Sequence, residues 1–288
     1  MPLIRAVRSM LTLISPTLNT KVNYLMHHHK RCNLKNPQTF EEKILWLKLY
    51  KYMREPTVIQ CADKYRVREY VESHGCGDIL NDLIAVYDSP DDINWEDLPN
   101  QFVLKWNFGA TYNYVCRDKS KANREEVIEK MRKWGKEKYW LPYSEMQYKY
   151  IPKKIGCERY LEDAEHPNAL PDYKVYCFHG EPLAVLVMHD RGETLKREFF
   201  DNEWKRLPNP KGCPVPDTET PKLSCLNRLL EVSHLLSRDF PFVRCDFYVV
   251  NGKVVFGEMT FTPAAGIYFK HTTIDGKPMA DFLHVPCQ

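Results

Sequence analysis

Apolar positions along this chain change period part-way, and the change divides it. Thr39 to Tyr52 places Phe40, Ile44 and Leu47 on one helical stripe behind Thr39, with Glu42 three residues on, which predicts a helix opened by a capping box. Asp63 to Ser73 predicts a second helix, stopped by His74-Gly75. Its Lys64 and Arg68 share a face at helical spacing, which suits an anionic ligand and equally an ordinary solvated surface. Residues up to about Pro99 therefore read as mostly helical, with a turn-rich end. Beyond them come short apolar runs and period-2 alternation: Phe102 to Leu104, Tyr112 to Arg117, Ile155 to Leu161, Asp172 to Phe178, Leu183 to Met188, Val243 to Val250 and Lys253 to Phe261. Two more helices are predicted among them, Asn123 to Lys138 and Leu223 to Ser237, the latter after a Pro-rich connection from Pro208 to Pro221. No internal repeat is visible. Helices together with antiparallel hairpins give an α+β chain.

The last two strands carry the sharpest chemical signal. Asn251-Gly252 between them is a strong short hairpin signal and fixes antiparallel pairing. A strict two-residue loop pairs Val250 with Lys253 and sets Asp246 opposite Gly257, with Glu258 on the other face. A loop that takes Lys253 into a bulge pairs Val250 with Val254, and Asp246 then lies opposite Glu258, on one face with Thr260. Two carboxylates converging among apolar neighbours repel unless a cation neutralises them, and magnesium takes such oxygen ligands. The alternative is a solvated strand face whose charges never meet.

Lys105 closes an apolar run before a turn from Trp106 to Asn113, which puts an ammonium at the base of a hairpin where it can meet phosphate, or on an edge strand where lysines are common. There is no GxxxxGK[ST] and no GxGxxG, so any nucleotide is held by other means. In Asp172 to Phe178, alternation puts Asp172, Lys174 and Tyr176 on one face and Tyr173, Val175 and Cys177 on the other; the polar face reads either as a site or as an exposed salt-bridged surface.

Composition narrows the setting. A chain of 288 residues with 43% hydrophobic residues buries a sizeable core. The formal net charge of +3 is too weak to argue for a nucleic-acid partner without a clustered patch. Ten cysteines, none spaced as CxxC, read as buried free thiols and favour a reducing, cytoplasmic compartment. No apolar run reaches the roughly 20 residues that cross a bilayer. Pro2 to Ile14 carries arginines and apolar residues; it reads as an amphipathic helix that docks on the core, with peripheral contact to a membrane surface as the alternative. His27-His28-His29 reads as a solvated loop, since adjacent side chains point apart.

In order along the chain, Asn36-Pro37-Gln38-Thr39-Phe40-Glu41-Glu42-Lys43-Ile44-Leu45-Trp46-Leu47, Ala62-Asp63-Lys64-Tyr65-Arg66-Val67-Arg68-Glu69-Tyr70-Val71, Phe102 to Lys105, Asp172-Tyr173-Lys174 and Val243-Arg244-Cys245-Asp246 resemble the ATP-grasp superfamily, and within it the TupA-like group associated with teichuronopeptide and surface polysaccharide biosynthesis. The resemblance covers the chain from about Asn36 onward. It implies an ATP-grasp fold of mostly antiparallel sheets with flanking helices, nucleotide held between two subdomains, and three regions: residues 1–99 helical, 100–155 a lid and 156–288 a metal-bearing part. Residue by residue it implies that Lys105 and Lys174 face the nucleotide, that Glu158 with the backbone through Tyr160 and Leu161 receives adenine, and that Asp172 reaches the ribose. Asp246 and Glu258 match the magnesium carboxylates. The third metal position, Asn in most relatives, is Thr260 here, and the flap from Asn107 to Asn113 contains only Gly109, so both features depart from the pattern. Arg191, Arg197 and Arg244 are candidates to offset transition-state charge.

The implied cofactors are ATP and magnesium, and the implied reaction activates a hexuronic acid carboxylate of a glycan or sugar precursor as an acyl phosphate for attack by an amino acid amine. Competing readings are a glycosyltransferase, whose nearest acidic pair is Asp91-Asp92, a sugar phosphotransferase using the same ATP site, and a noncatalytic scaffold that keeps the fold.

Overall fold

The computed structural model describes residues 2–166, 169–189, 195–209, 213–269 and 273–286. Its helices are α1 (Pro2–Ile14), α2 (Pro16–His28), α3 (Phe40–Trp46), α4 (Pro56–Ala62), α5 (Val67–Ser73), α6 (Arg124–Gly135) and α7 (Leu226–Ser237). Strands β1 (Leu83–Tyr87), β2 (Phe102–Trp106), β3 (Asn113–Cys116) and β4 (Ile155–Arg159) form a four-stranded sheet in the order β1-β4-β2-β3. Strands β5 (Asp172–Phe178), β6 (Glu181–His189), β7 (Lys196–Asp201), β8 (Arg206–Leu207), β9 (Phe242–Val250) and β10 (Lys253–Thr260) form a six-stranded sheet in the order β10-β9-β5-β6-β7-β8. All pairings in both sheets are antiparallel. The chain passes from one sheet to the other through residues 160–171, directly after β4.

Two helical expectations change. Leu83 to Tyr87, within the stretch expected to be mostly helical, is a strand that pairs with β4, so the smaller sheet draws on sequence upstream of residue 100. The helix expected over Asp63 to Ser73 begins only at Val67, because the Asp63 carboxylate accepts from the backbone N–H groups of Tyr65 and Arg66 and holds a turn there. A side chain that satisfies backbone donors offers an alternative to the helical ladder. Lys64 is thereby taken off any helical face.

The capping box before α3 forms as expected: Thr39 Oγ1 accepts from Glu42 N, and Glu42 Oε2 accepts from Thr39 N. α3 runs on through a π-helical turn, Leu47–Lys51, to Tyr52. Tyr52 is fully buried, donating to the Phe242 carbonyl at 2.8 Å and accepting from Phe242 N at 3.2 Å. One hydroxyl thus satisfies both main-chain groups at the start of β9 and locks the helical region to the larger sheet. α7 backs the same sheet through buried Leu226, Leu229, Val232 and Leu236. The nine cysteines among the described residues are free thiols.

Pro2–Ile14 is helical as expected, but the side that docks is its polar one. Arg5 pairs with Glu137 at 2.5 Å, Arg8 donates to Tyr143 Oη at 2.8 Å, and buried Thr12 donates to the Leu141 carbonyl at 2.6 Å. His27 and His28 lie in the last turn of α2 rather than in a loop. Among the described residues no helix is long and apolar enough to cross a membrane.

Tyr52→Phe should leave both main-chain groups of Phe242 buried without their partner and cost about 1–3 kcal/mol in urea unfolding; an unchanged unfolding midpoint would show that this hydroxyl does not tie the helical region to the sheet.

Candidate active site

The Asn251-Gly252 turn has positive φ at both residues (49° and 73°) and pairs Val250 with Lys253, the strict two-residue loop. On that register Asp246 would face Gly257. It faces Glu258 instead, because a bulge between Phe256 and Glu258 shifts the register in mid-strand. The acids converge as the second sequence reading required, through a bulge at Gly257 rather than at Lys253. Gly257 is the residue that permits it, since a Cβ there would come within 2.9 Å of the Asp246 carbonyl oxygen.

Across β9 and β5, Asp246 pairs with Lys174, so Glu258, Asp246 and Lys174 form one row over three strands. Asp246 and Lys174 are buried at 3% and 5% exposure, and the Lys174 ammonium donates to Asp246 Oδ2. Arg244 grips the same carboxylate with Nε to Oδ1 and Nη2 to Oδ2, each at 2.6 Å. Its Nη2 also donates to Thr260 Oγ1 at 3.2 Å, and Thr260 in turn donates to Glu258 Oε1 at 3.2 Å. Glu258 meets Lys64 Nζ at 3.2 Å. Burial pushes the Glu258 carboxyl up, but Lys64, Lys174 and Arg244 more than offset it and hold it down at about 2. Burial likewise works against the Arg244 charge, and Asp246 more than restores it, leaving its pKa raised. The polar face of β5 is thus a buried wall rather than an exposed salt-bridged surface, with Asp172, Lys174 and Tyr176 all buried.

The smaller sheet supplies the opposite wall. Lys105, at the end of β2, donates to Glu158 Oε2 on β4 at 2.7 Å. Burial raises the Glu158 carboxyl, and Lys105, Asn81 and Arg68 together bring it below its ordinary value. The turn between β2 and β3 is anchored at its base by Asn107, whose side chain donates to Asp63 at 2.9 Å and accepts from Lys154 N at 2.8 Å. Gly109 (φ 67°) lies against the Tyr139 ring so closely that a Cβ would come within 2.6 Å of it, and its carbonyl accepts from Lys64 Nζ. The single glycine of this flap is therefore used for close approach to an aromatic ring.

Two adjoining chambers lie between the walls. One, of about 640 Å³, is bounded by Val103, Val115, the Glu158–Leu161 segment and Asp172; the other, of about 390 Å³, by the flap, Lys64, Lys174, Arg244, Asp246 and Glu258. They share Lys105, Asn113, Glu158, Asp172 and Tyr248. Of the residues singled out in the sequence, Lys105, Glu158, Tyr160, Leu161, Asp172, Lys174, Arg244, Asp246 and Glu258 line this cleft. Thr260 stands beside it, bonded to Arg244 and Glu258. Arg197 lies on β7 opposite Met188, with Nη1 at 4.0 Å from Cys213 Sγ, and lines neither chamber. Arg191 falls outside the described residues. Lys64 reaches the cleft without the expected helical spacing to Arg68: the turn held by Asp63 delivers it to Glu258.

A family model described as TupA-like ATP-grasp matches residues 42–278 of the chain. The chain belongs to the TupA-like ATP-grasp family. No curated protein matches it. Among solved structures it is similar to D-alanine–D-alanine ligase from Bacillus anthracis, with 15% identity, 70% of this chain and 57% of that chain covered and a TM-score of 0.44. It is also similar to L-amino acid ligase from Bacillus licheniformis, with 14% identity, 73% and 45% covered and a TM-score of 0.45. The chain thus spans about half the length of these enzymes, and membership of the ATP-grasp family rests on the family model. The donor set suits the magnesium that the fold implies: two carboxylates of the hard-oxygen class face each other, and Glu258 is held ionised. Lys174 and Arg244 already engage Asp246, so a cation would share that carboxylate with them.

Gly257→Ala should force the bulge against the Asp246 carbonyl and cost about 1–3 kcal/mol, as overpacking does, seen as a lower urea midpoint. A midpoint equal to that of the unaltered chain would mean that the bulge relaxes freely and that glycine is not what holds the two acids opposite each other.

Proposed function

We propose that the chain is an ATP- and magnesium-dependent carboxylate–amine ligase of surface or capsular polysaccharide biosynthesis, acting in the cytoplasm on a hexuronic acid and an amino acid. The observation that carries this reading is the row Glu258–Asp246–Lys174 facing the Lys105–Glu158 pair across a cleft whose larger chamber has the volume and apolar walls for a nucleoside. Family membership and the absence of a P-loop support it.

In this reading adenine enters between Val103 and Val115 against the Glu158–Leu161 edge, and Asp172 reaches the ribose. Lys105 and Lys174 take the phosphates, each loosening its present carboxylate partner, and Thr260 steadies Glu258 and Arg244 from the side. When bound by Asp246 and Glu258, magnesium neutralises charge on the phosphate oxygens. A uronate oxygen attacks the terminal phosphorus as the bond to ADP breaks, giving an acyl phosphate. The amine then attacks the acyl carbon, phosphate leaves, and the nitrogen loses a proton. Arg244 offsets the charge that spreads over the transferring group, and Arg197, on β7 three strands from Arg244 in the same sheet, is the further candidate to offset it.

The nearest acidic pair of the glycosyltransferase reading, Asp91-Asp92, lines neither chamber: Asp91 is bound by Arg132, and Asp92 accepts from Ser89 N at 3.0 Å.

ADP release measured over paired uronic acids and amino acids should require both substrates, and Glu258→Gln should abolish it while leaving the fold intact. Release with the sugar alone would make the protein a phosphotransferase, and full turnover in Glu258→Gln would remove the metal assignment. Lys105→Ala should weaken ATP binding by about 1.5–3 kcal/mol, the range of a charge-assisted hydrogen bond; unchanged affinity would return Lys105 to a purely structural pairing with Glu158.

A further inference from the structure

The first two helices are amphipathic the wrong way round for a soluble protein. On α1, Arg8 and Thr12 turn towards the body of the molecule and bond to Tyr143 and the Leu141 carbonyl, and Arg5, at the exposed margin, pairs with Glu137. The other side, Leu3, Val7, Met10 and Ile14 at helical spacing, faces outward at 76%, 44%, 56% and 68% exposure. α2 repeats the inversion. Its Asn19 and Asn23 are buried, with Asn19 donating to Thr12 Oγ1 at 2.7 Å and to the Pro142 carbonyl at 3.1 Å, while Leu18, Leu25 and Met26 stand in solvent. Polar groups are costly to bury and apolar ones costly to leave out, so a chain that does both on two successive helices presents a face built for something else.

Charge decides what that is. Residues 1–40 contain Arg5, Arg8, Lys21, Lys30, Arg31 and Lys35 and no Asp or Glu. Lys21, Lys30, Arg31 and Lys35 are exposed. A second copy of the chain would bring this cationic surface against itself, whereas an anionic lipid surface complements it and accepts the apolar stripe. Each helix is 13 residues, too short to span a bilayer and suited to lying in its surface.

We propose that α1 and α2 form an interfacial anchor that seats the protein on an anionic phospholipid bilayer. Leu3, Val7, Met10 and Ile14 enter the headgroup–acyl boundary, and the neighbouring lysines and arginines meet the lipid phosphates. The anchor is rigidly joined to the catalytic body through the segment 137–144, whose Tyr139 packs on Gly109 of the flap.

The test is co-sedimentation of the whole chain with vesicles of phosphatidylcholine alone and of phosphatidylcholine with phosphatidylglycerol, at low and high salt, alongside light scattering of the chain in buffer. Met10→Glu/Ile14→Glu alters only exposed side chains, so its thermal unfolding serves as the folding control. The anchor predicts binding to the anionic vesicles that is weakened by salt and lowered at least roughly tenfold in the double variant. Absence of binding, or binding that the double variant keeps, overturns it. A dimer in buffer that the double variant dissociates, with no vesicle binding, overturns it in favour of a second copy.

Discussion

The Asp246 carboxylate is the constraint on which the rest of this structure turns. It is buried on β9, one strand in from the edge of the larger sheet, and held by Lys174 on one neighbouring strand and by both arms of Arg244 on its own. A buried charge is tolerated only when paired and hydrogen-bonded, and removal of a single partner is far more costly than loss of a surface pair. The strand order β10-β9-β5 places Lys174 beside Asp246, and the bulge at Gly257 then turns Glu258 to the same face. Without the bulge Glu258 would point to the other side of the sheet, and the three cations that now surround it would face one carboxylate fewer.

The charge inventory of the smaller chamber follows from the same pairing. Its charged lining consists of Glu158, Asp172, Asp246 and Glu258 against Lys64, Lys105, Lys174 and Arg244, four of each sign. A neutral cleft gives a bare triphosphate little net attraction. It suits a nucleotide that arrives with its own divalent charge, since lysines released from carboxylates can turn to phosphate only if another cation takes over the acids. Lys64 ties the two sides together, touching Glu258 on the larger sheet and the Gly109 carbonyl on the flap. The charge beside Glu258 and the position of the flap are therefore linked through one side chain.

Much of the fold was legible because its signals are local. Thr39 with Glu42 marked the start of a helix, Asn251-Gly252 marked the hairpin, and alternation in Asp172 to Phe178 separated the core face from the chemical face. The strand at Leu83 to Tyr87 was hidden because its pairing partner, β4, lies some seventy residues away in sequence and its own pattern does not alternate cleanly. In the site, the hairpin and the strand alternation already singled out Asp246, Glu258, Lys105 and Lys174, and the family resemblance attached roles to them. The mid-strand bulge was not readable in advance, since a glycine within a strand has several uses and only the cross-strand neighbour shows which applies. Lys64 was misread for a similar reason: propensity favoured a helix there, and the Asp63 turn that overrides it depends on Asn107 from a distant loop. The inverted polarity of α1 could not be seen either, because an amphipathic pattern does not say which side meets the protein.

The most direct test of this account is calorimetric titration of ATP into the protein with magnesium and again with magnesium chelated. A charge-neutral cleft that exchanges its internal ion pairs for a metal-bound triphosphate predicts saturable one-site binding with magnesium and little or none without it. Equal binding in the two conditions, or none in either, would contradict the assignment of Asp246 and Glu258 to a metal-nucleotide site.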